Sequence, residues 1–266
     1  MKATYVYHDC FIIETASNTI IFDYWKDPLA KAEEKKFPPI LKTLDRRKNI
    51  YVVVSHHHKD HFTRKIFMWQ QEFPGIKYVV SPDVYKSMEY MFREGTTYQG
   101  YCPEKGSVWV ISKGERYEDS HIRIDAFGST DTGNSYALVS DGWKIFHAGD
   151  LNAWVWIDES TPQEVEESMR EFTEIVGEIK KEYPHFDIAM FPVDSRMGRG
   201  YEMGAEYFLE HIKVDIFIPM HFMLYESQEE KERRLRDVDA FQQTALKHAD
   251  RYEFLKETRE YLEIEP

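Results

Sequence analysis

The chain has 266 residues, 42% hydrophobic and 15% aromatic, enough for a substantial core in one large domain or two small ones. Its net charge of -13 disfavours a nucleic-acid backbone as partner, since such partners are normally held by clustered Lys and Arg. Only Cys10 and Cys102 are present, in no C-x-x-C spacing, and no apolar run approaches the roughly 20 residues of a membrane span, so a soluble protein of the reducing cytoplasm is expected, without signal peptide or anchor.

From the N-terminus, residues 3–7 and 10–15 predict a hairpin, Ala16-Ser17-Asn18 a turn, and Thr19 to Phe22 a strand ending at Asp23. His8 sits near the hairpin loop, where a lone histidine reads as structural unless it reaches a site mouth. Residues 26–49 are rich in Lys and Glu around Pro38-Pro39 and read as an exposed excursion. The run Tyr51-Val52-Val53-Val54 then leads directly into Ser55-His56-His57-His58-Lys59-Asp60-His61. Four of the chain's 11 histidines fall here, at a strand end. The pattern H-x-H-x-D-H offers three imidazoles and one carboxylate, all good ligands for a divalent transition metal. In an extended loop residues two apart share a side, so His56, His58 and Asp60 converge, His61 turns in and His57 points away.

Thr63 predicts a capped short helix through Gln71, Ile76 to Ser81 a strand, and Asp83 to Arg93 a helix stopped by Gly95. Short strands follow at Val108 to Ile111, Ile122 to Phe127, Tyr136 to Val139 and Trp143 to Phe146, the last two joined by Ser140-Asp141-Gly142. Next come a long helix from Thr161 to Glu182, a strand at Ile188 to Phe191, a helix at Met203 to Ile212 and a strand at Ile216 to Ile218. A charged helix from Ser227 to Ala249 and a final strand at Tyr252 to Leu255 complete the chain. Two successive βα-rich halves without a separating linker predict one α/β domain over residues 1–266, a four-layer αββα sandwich with helices on both outer faces.

A strand followed by H-x-H-x-D-H resembles the metallo-β-lactamase superfamily of metal-dependent hydrolases, whose sites hold one or two ions. His147-Ala148-Gly149-Asp150, at a strand end, resembles its bridging-aspartate motif, and Pro219-Met220-His221 its last ligand motif. These two contexts look most like the branch that includes the ascorbate-6-phosphate lactonases. The resemblance implies that Asp60, His61, Asp150 and His221 form one mixed nitrogen and oxygen site, with His56 and His58 in another. It implies one or two divalent ions, zinc or manganese foremost and iron also compatible. It makes Asp23 a support for the histidine loop, although Asp23 also reads as a turn-initiating residue.

The superfamily normally adds a third histidine to the first site. His121 begins its strand seven residues before Gly128, more than about 20 Å away at about 3.3 Å per residue, and is not expected to bind. At the expected place stands Gly128-Ser129-Thr130-Asp131. Either Asp131 substitutes with oxygen, or Ser129 or Thr130 ligates weakly or holds a water, or the first site is partly empty.

A divalent ion lowers the pKa of bound water to about 7 and polarises a carbonyl or phosphoryl oxygen. The expected activity is therefore hydrolysis of a small anionic ester, lactone or phosphodiester by a metal-bound hydroxide, with Asp60 orienting the water and Asp150 ligating or bridging. No G-x-S-x-G nucleophile motif competes. Arg196 and Arg199, in the stretch from Asp194 to Tyr201, could fork onto a phosphate or carboxylate, or form surface ion pairs. Trp154, in the stretch from Leu151 to Trp156, suits an aromatic wall or the core. Rival readings are a di-iron redox protein, which usually relies on a flavin partner domain that these residues do not supply, and a metal-binding regulatory protein that has lost catalysis. The expected partner is a small-molecule substrate, with no nucleic acid and no membrane, and a homo-oligomer stays open.

Overall fold

The computed structural model describes residues 1–92, 103–104 and 106–265. Its strands in chain order are β1 (Lys2–Tyr7), β2 (Cys10–Glu14), β3 (Asn18–Phe22), β4 (Asn49–Val54), β5 (Lys77–Val80), β6 (Val108–Val110) and β7 (Arg116–Glu118). They continue with β8 (Ile122–Phe127), β9 (Ser135–Ser140), β10 (Trp143–His147), β11 (His185–Pro192), β12 (Lys213–Met220), β13 (Ala249–Tyr252) and β14 (Tyr261–Glu263). The α-helices are α1 (Pro82–Met88), α2 (Pro162–Glu182), α3 (Met203–His211) and α4 (Gln228–Ala245). One seven-stranded sheet runs β14-β1-β2-β3-β4-β5-β6 and the other β13-β12-β11-β10-β9-β8-β7. In each, a parallel half (β3 to β6, or β10 to β13) adjoins an antiparallel half.

Strand alternation builds the layers. Tyr5, Phe11, Ile13, Ile20, Phe22, Tyr51 and Val53 pack in one core with Ile124, Leu138 and Ile145 of the other sheet and with Phe172, Phe208 and Phe241 of α2, α3 and α4. The intervening residues Val6, Ile12, Ile21, Val52 and Val54 face the opposite way, onto Ile66, Phe67, Trp69, Val84 and Met88. A sheet buried on both faces needs apolar side chains at successive positions, which is why Val52, Val53 and Val54 stand in a row. The αββα sandwich expected from the sequence is thus the fold.

Local differences have physical causes. The last strand of the second sheet lies at Ala249–Tyr252 rather than at 252–255, because Ala249 pairs with Val214 and Tyr252 with Phe217, and α4 stops at Ala245 to allow it. The sequence reading missed β7 and β14, each three residues long, too short for alternation to register. The excursion over residues 26–49 is not wholly solvated, since Ile40, Leu41 and Leu44 are buried against the first sheet's outer layer. Residues 64–71 form a 3-10 helix, and the Thr63 side chain makes no capping bond there. The expected helix end at Arg93 and Gly95, and Cys102, lie outside the described residues. No helix among the described residues is long and apolar enough to cross a membrane.

Candidate metal centre

The topology brings one set of chain segments to one edge of the sandwich: the β1–β2 turn, the ends of β3, β4, β10, β11 and β12, and the β8–β9 loop. A parallel strand delivers its last residues to the same edge as its neighbours, so Asp23, the histidine loop, Asp150, Asp194 and His221 meet although distant in sequence. The potential ligands at this edge fall, among the described residues, into two clusters. His56, His58, Asp131 and Asp150 form one, and His8, Asp9, His61 and His221 the other, with the candidate donor atoms of each within 4.8 Å of one another.

Asp150 joins them. Its Oδ2 lies 3.3 Å from His56 Nε2, while its Oδ1 lies 3.1 Å from His61 Nε2 and 3.2 Å from His221 Nε2. Asp131 approaches His58, Oδ2 to Nδ1 at 3.5 Å, where the third histidine is missing. Asp60 belongs to neither cluster. Its partly exposed carboxylate is 3.7 Å from His8 Nε2. His57 turns away and pairs with Asp83 at 2.8 Å, and His121 is exposed at the start of β8.

The hydrogen-bond network sorts the imidazoles by which nitrogen carries the proton. Asp23, 1% exposed, accepts from Ser55 N at 2.7 Å, Ser55 Oγ at 2.6 Å and His61 Nδ1 at 2.9 Å. With its proton given to Asp23, Ser55 Oγ accepts from His56 Nδ1 at 2.9 Å. His221 Nδ1 donates to Asp194 Oδ2 at 3.0 Å. His56, His61 and His221 therefore all donate from Nδ1 and turn Nε2 into the clusters, the orientation a metal ligand needs once any proton on Nε2 is displaced. His147 is set the other way. It accepts from Gly149 N at 3.2 Å through Nδ1 and donates from Nε2 to the Asp9 carbonyl at 2.8 Å.

The charges agree. Burial opposes ionisation of Asp23, yet the bond from His61 holds its carboxyl below the usual range. Burial likewise opposes ionisation of Asp194, but His221 and Arg196 keep it low. Burial disfavours protonation of His221, but Asp150 and then Asp9 push it up to about 10. Asp9 itself is pushed up to about 7, mainly by burial. Such a set fits a divalent cation: His56 Nε2, His61 Nε2, Asp150 Oδ1 and both Asp9 oxygens are buried without a hydrogen-bond partner among the described residues. Leaving so many polar atoms unsatisfied costs about 1–3 kcal/mol each unless something binds them.

The other sequence candidates divide. Trp154 stands against the centre, its Nε1 donating to the Asp150 carbonyl at 2.8 Å and its ring 5.3 Å from that of His221. Arg196 is close too, but its Nε and Nη2 clasp Asp194, and Nη2 lies 3.2 Å from His221 Nδ1. Arg199 instead makes an exposed ion pair with Asp158, the surface alternative raised by the sequence. Tyr201 is directed elsewhere, its hydroxyl bonding the Asp237 carbonyl at 3.0 Å. Of the residues the sequence reading passed over, Asp9 matters most. Its only signal in the sequence was its place beside His8, near the loop of the N-terminal hairpin.

Gly133 shapes the loop from the opposite sheet. Its φ is +77°, and a Cβ there would lie 2.1 Å from the Ser55 carbonyl oxygen and 2.6 Å from His56 Cβ. Gly133→Ala is therefore expected to displace the histidine loop, lowering stability by at least about 1 kcal/mol and reducing metal uptake. Thermal unfolding and metal titration of the variant check this, and unchanged values for both would contradict the close packing.

The beta-lactamase superfamily domain matches residues 2–164. No functionally curated protein matches the chain. Among solved structures, Igni18, a novel metallo hydrolase from the hyperthermophilic archaeon Ignicoccus hospitalis, superposes with a TM-score of 0.65 at 17% identity, over 99% of both chains. CmlA, a diiron beta-hydroxylase from Streptomyces venezuelae, gives 0.65 at 11% identity over 99% of this chain and 54% of that one, so the present chain spans about half its length. The metallo-beta-lactamase fold protein YhfI from Bacillus subtilis gives 0.58 at 7% identity over 98% of both chains. At such identities the likeness is one of fold.

Proposed function

The chain belongs to the beta-lactamase superfamily, and we propose that it is a metal-dependent hydrolase whose substrate is a small anionic ester, lactone or phosphodiester. The observation that carries this reading is the pair of donor clusters joined by Asp150, with the Nε2 atoms of His56, His61 and His221 all turned inward. A divalent ion held there would supply a water activated near neutral pH and an electrophile for a carbonyl or phosphoryl oxygen.

The chain's own residues do the rest. Asp23 and Asp194 fix the tautomers and ring planes of the ligating histidines, and Trp154 walls the His221 side. Arg196 spends Nε and Nη2 on Asp194, which leaves Nη1 without a hydrogen bond among the described residues and able to meet an anionic group. The lactone option rests on the contexts of Asp150 and His221.

A specific observation favours a second reading. Among the described residues three aspartates and no thiolate accompany the histidines, and such a donor set suits iron or manganese as well as zinc. Di-iron oxygen chemistry is therefore the rival. Protein purified without chelator should contain metal by elemental analysis and hydrolyse aryl phosphodiesters or lactones with added manganese or zinc, with activity lost to a chelator. Bound iron with visible absorbance and no hydrolysis would favour the rival, and full metal occupancy with no turnover a binding or regulatory role.

A further inference from the structure

The donors of the second position divide unequally between the histidine loop and the β1–β2 turn. Its one residue from the loop is His61, and His221 comes from the end of β12; Asp60, although next to His61, lies outside the cluster. The turn fills the gap. Asp9 is fully buried, its Oδ2 is 3.3 Å from His61 Nε2 and 3.9 Å from His221 Nε2, and neither of its oxygens has a hydrogen-bond partner among the described residues. Its backbone is not free to swing, because His147 clamps the Asp9 carbonyl at 2.8 Å while stacking on Phe22 at 4.6 Å. A carboxylate fixed, dry and without a hydrogen-bond partner among the described residues, beside two inward-facing Nε2 atoms, is a ligand in want of a cation.

The neighbouring His8 is not its equal. Met223 N donates to His8 Nδ1 at 3.4 Å, which puts the imidazole proton on Nε2, the atom facing the cluster. An Nε2–H can donate a hydrogen bond, but it has no lone pair for a metal.

We propose that Asp9 is a metal ligand of the second position, in place of Asp60, and that His8 beside it is a hydrogen-bond donor and not a ligand. The proposal rests on the metal-centre reading given above. Each position then has two imidazoles and two carboxylates, His56, His58, Asp131 and Asp150 against His61, His221, Asp9 and Asp150, with Asp150 shared. Three carboxylates face two divalent ions, so most of their charge is neutralised inside the protein.

The test is metal content and affinity, read without any substrate. Wild type, Asp9→Asn, Asp9→Ser and His8→Gln are stripped, titrated with manganese(II), and measured by elemental analysis and calorimetry, with circular dichroism to confirm folding. Wild type should take up two ions per chain. Both Asp9 variants should keep one site at wild-type affinity and weaken the other at least about 100-fold, beyond the 10–100-fold typical of an outer partner, whereas His8→Gln should retain two ions. Two ions at wild-type affinity in either folded Asp9 variant would overturn the assignment, as would loss of an ion in His8→Gln alone. Should neither Asp9 variant fold, crystals of the manganese-loaded wild type decide. An anomalous peak at about 2.2 Å from an Asp9 oxygen is expected, and a peak bonded to Asp60 but not Asp9 would overturn the proposal. A wild-type chain that binds no ion would sink the metal-centre reading itself, and one that binds a single ion at His56 and His58 would sink only the role of Asp9.

Discussion

Asp150→Ala should strip the protein of metal at both positions and abolish hydrolysis. Among the described residues no other side chain serves both clusters: one carboxylate oxygen faces His56 at 3.3 Å, and the other faces His61 at 3.1 Å and His221 at 3.2 Å. Each position should weaken at least about 100-fold, more than the loss of an outer partner would cause. A proton signature accompanies this. Without metal, burial disfavours the charged form of His221, but Asp150 is the strongest influence against it and the folded pKa rises to about 10. A histidine raised in this way adds stability that is fully present below its ordinary pKa of about 6.5 and is lost as the pH climbs through about 10. Metal must displace that proton, so uptake should release protons and affinity should rise with pH across the same window. In Asp150→Ala the stability of the metal-free protein should vary less between pH 6.5 and 10. Elemental analysis and denaturation at several pH values check both, and two tightly held ions in the variant would mean that Asp150 is not shared.

The fold and one half of the candidate centre were legible in the sequence because those features are local. A β-branched run followed by alternating histidines states its own strand end and its own side-chain directions, and Gly149-Asp150 and Pro219-Met220-His221 each close an apolar strand that can be seen by itself. The β8–β9 loop was visible as a place where a histidine was lacking, and Asp131 as one of several substitutes. What could not be seen depended on pairing. Asp9 and Asp60 are both aspartates beside a histidine, and nothing in either neighbourhood tells which is buried. The decision comes from the β1–β2 turn being tucked under the β12 end, with Tyr7 Oη bonded to the Met223 carbonyl at 2.9 Å across more than 200 residues. Arg196 was legible as a cation near a strand end, but its engagement by Asp194 required the side-chain geometry. β14 was hidden for the same reason, since it is a strand only because β1 offers it an edge.

Asp23 tests whether the tautomers are as firmly set as the network implies, and two substitutions should fail differently. Asp23→Ala leaves three buried donors, Ser55 N, Ser55 Oγ and His61 Nδ1, without an acceptor, and puts alanine at a φ of +43°, which a non-glycine residue adopts at a cost. At about 1–3 kcal/mol for each unsatisfied donor, a loss of at least about 3 kcal/mol is expected, a large part of a typical domain's stability. Asp23→Asn tolerates the backbone and keeps the shape. Its carbonyl must face Ser55 N–H, because the opposite orientation sets two donors against each other, so its amide NH2 points at Ser55 Oγ and His61 Nδ1. His61 Nδ1 must then accept and carry its proton on Nε2. Ser55 Oγ, now accepting from the amide, gives its own proton to His56 Nδ1, which sends the His56 proton to Nε2 as well. One amide thus withdraws a lone pair from each cluster while disturbing packing little. Asp23→Asn should melt close to wild type yet bind metal about 10–100-fold more weakly at both positions, and Asp23→Ala should show the larger loss of stability. Wild-type metal affinity in Asp23→Asn would show that the histidine protons are not set through Asp23. A loss confined to one position would show that the Ser55 relay to His56 does not operate.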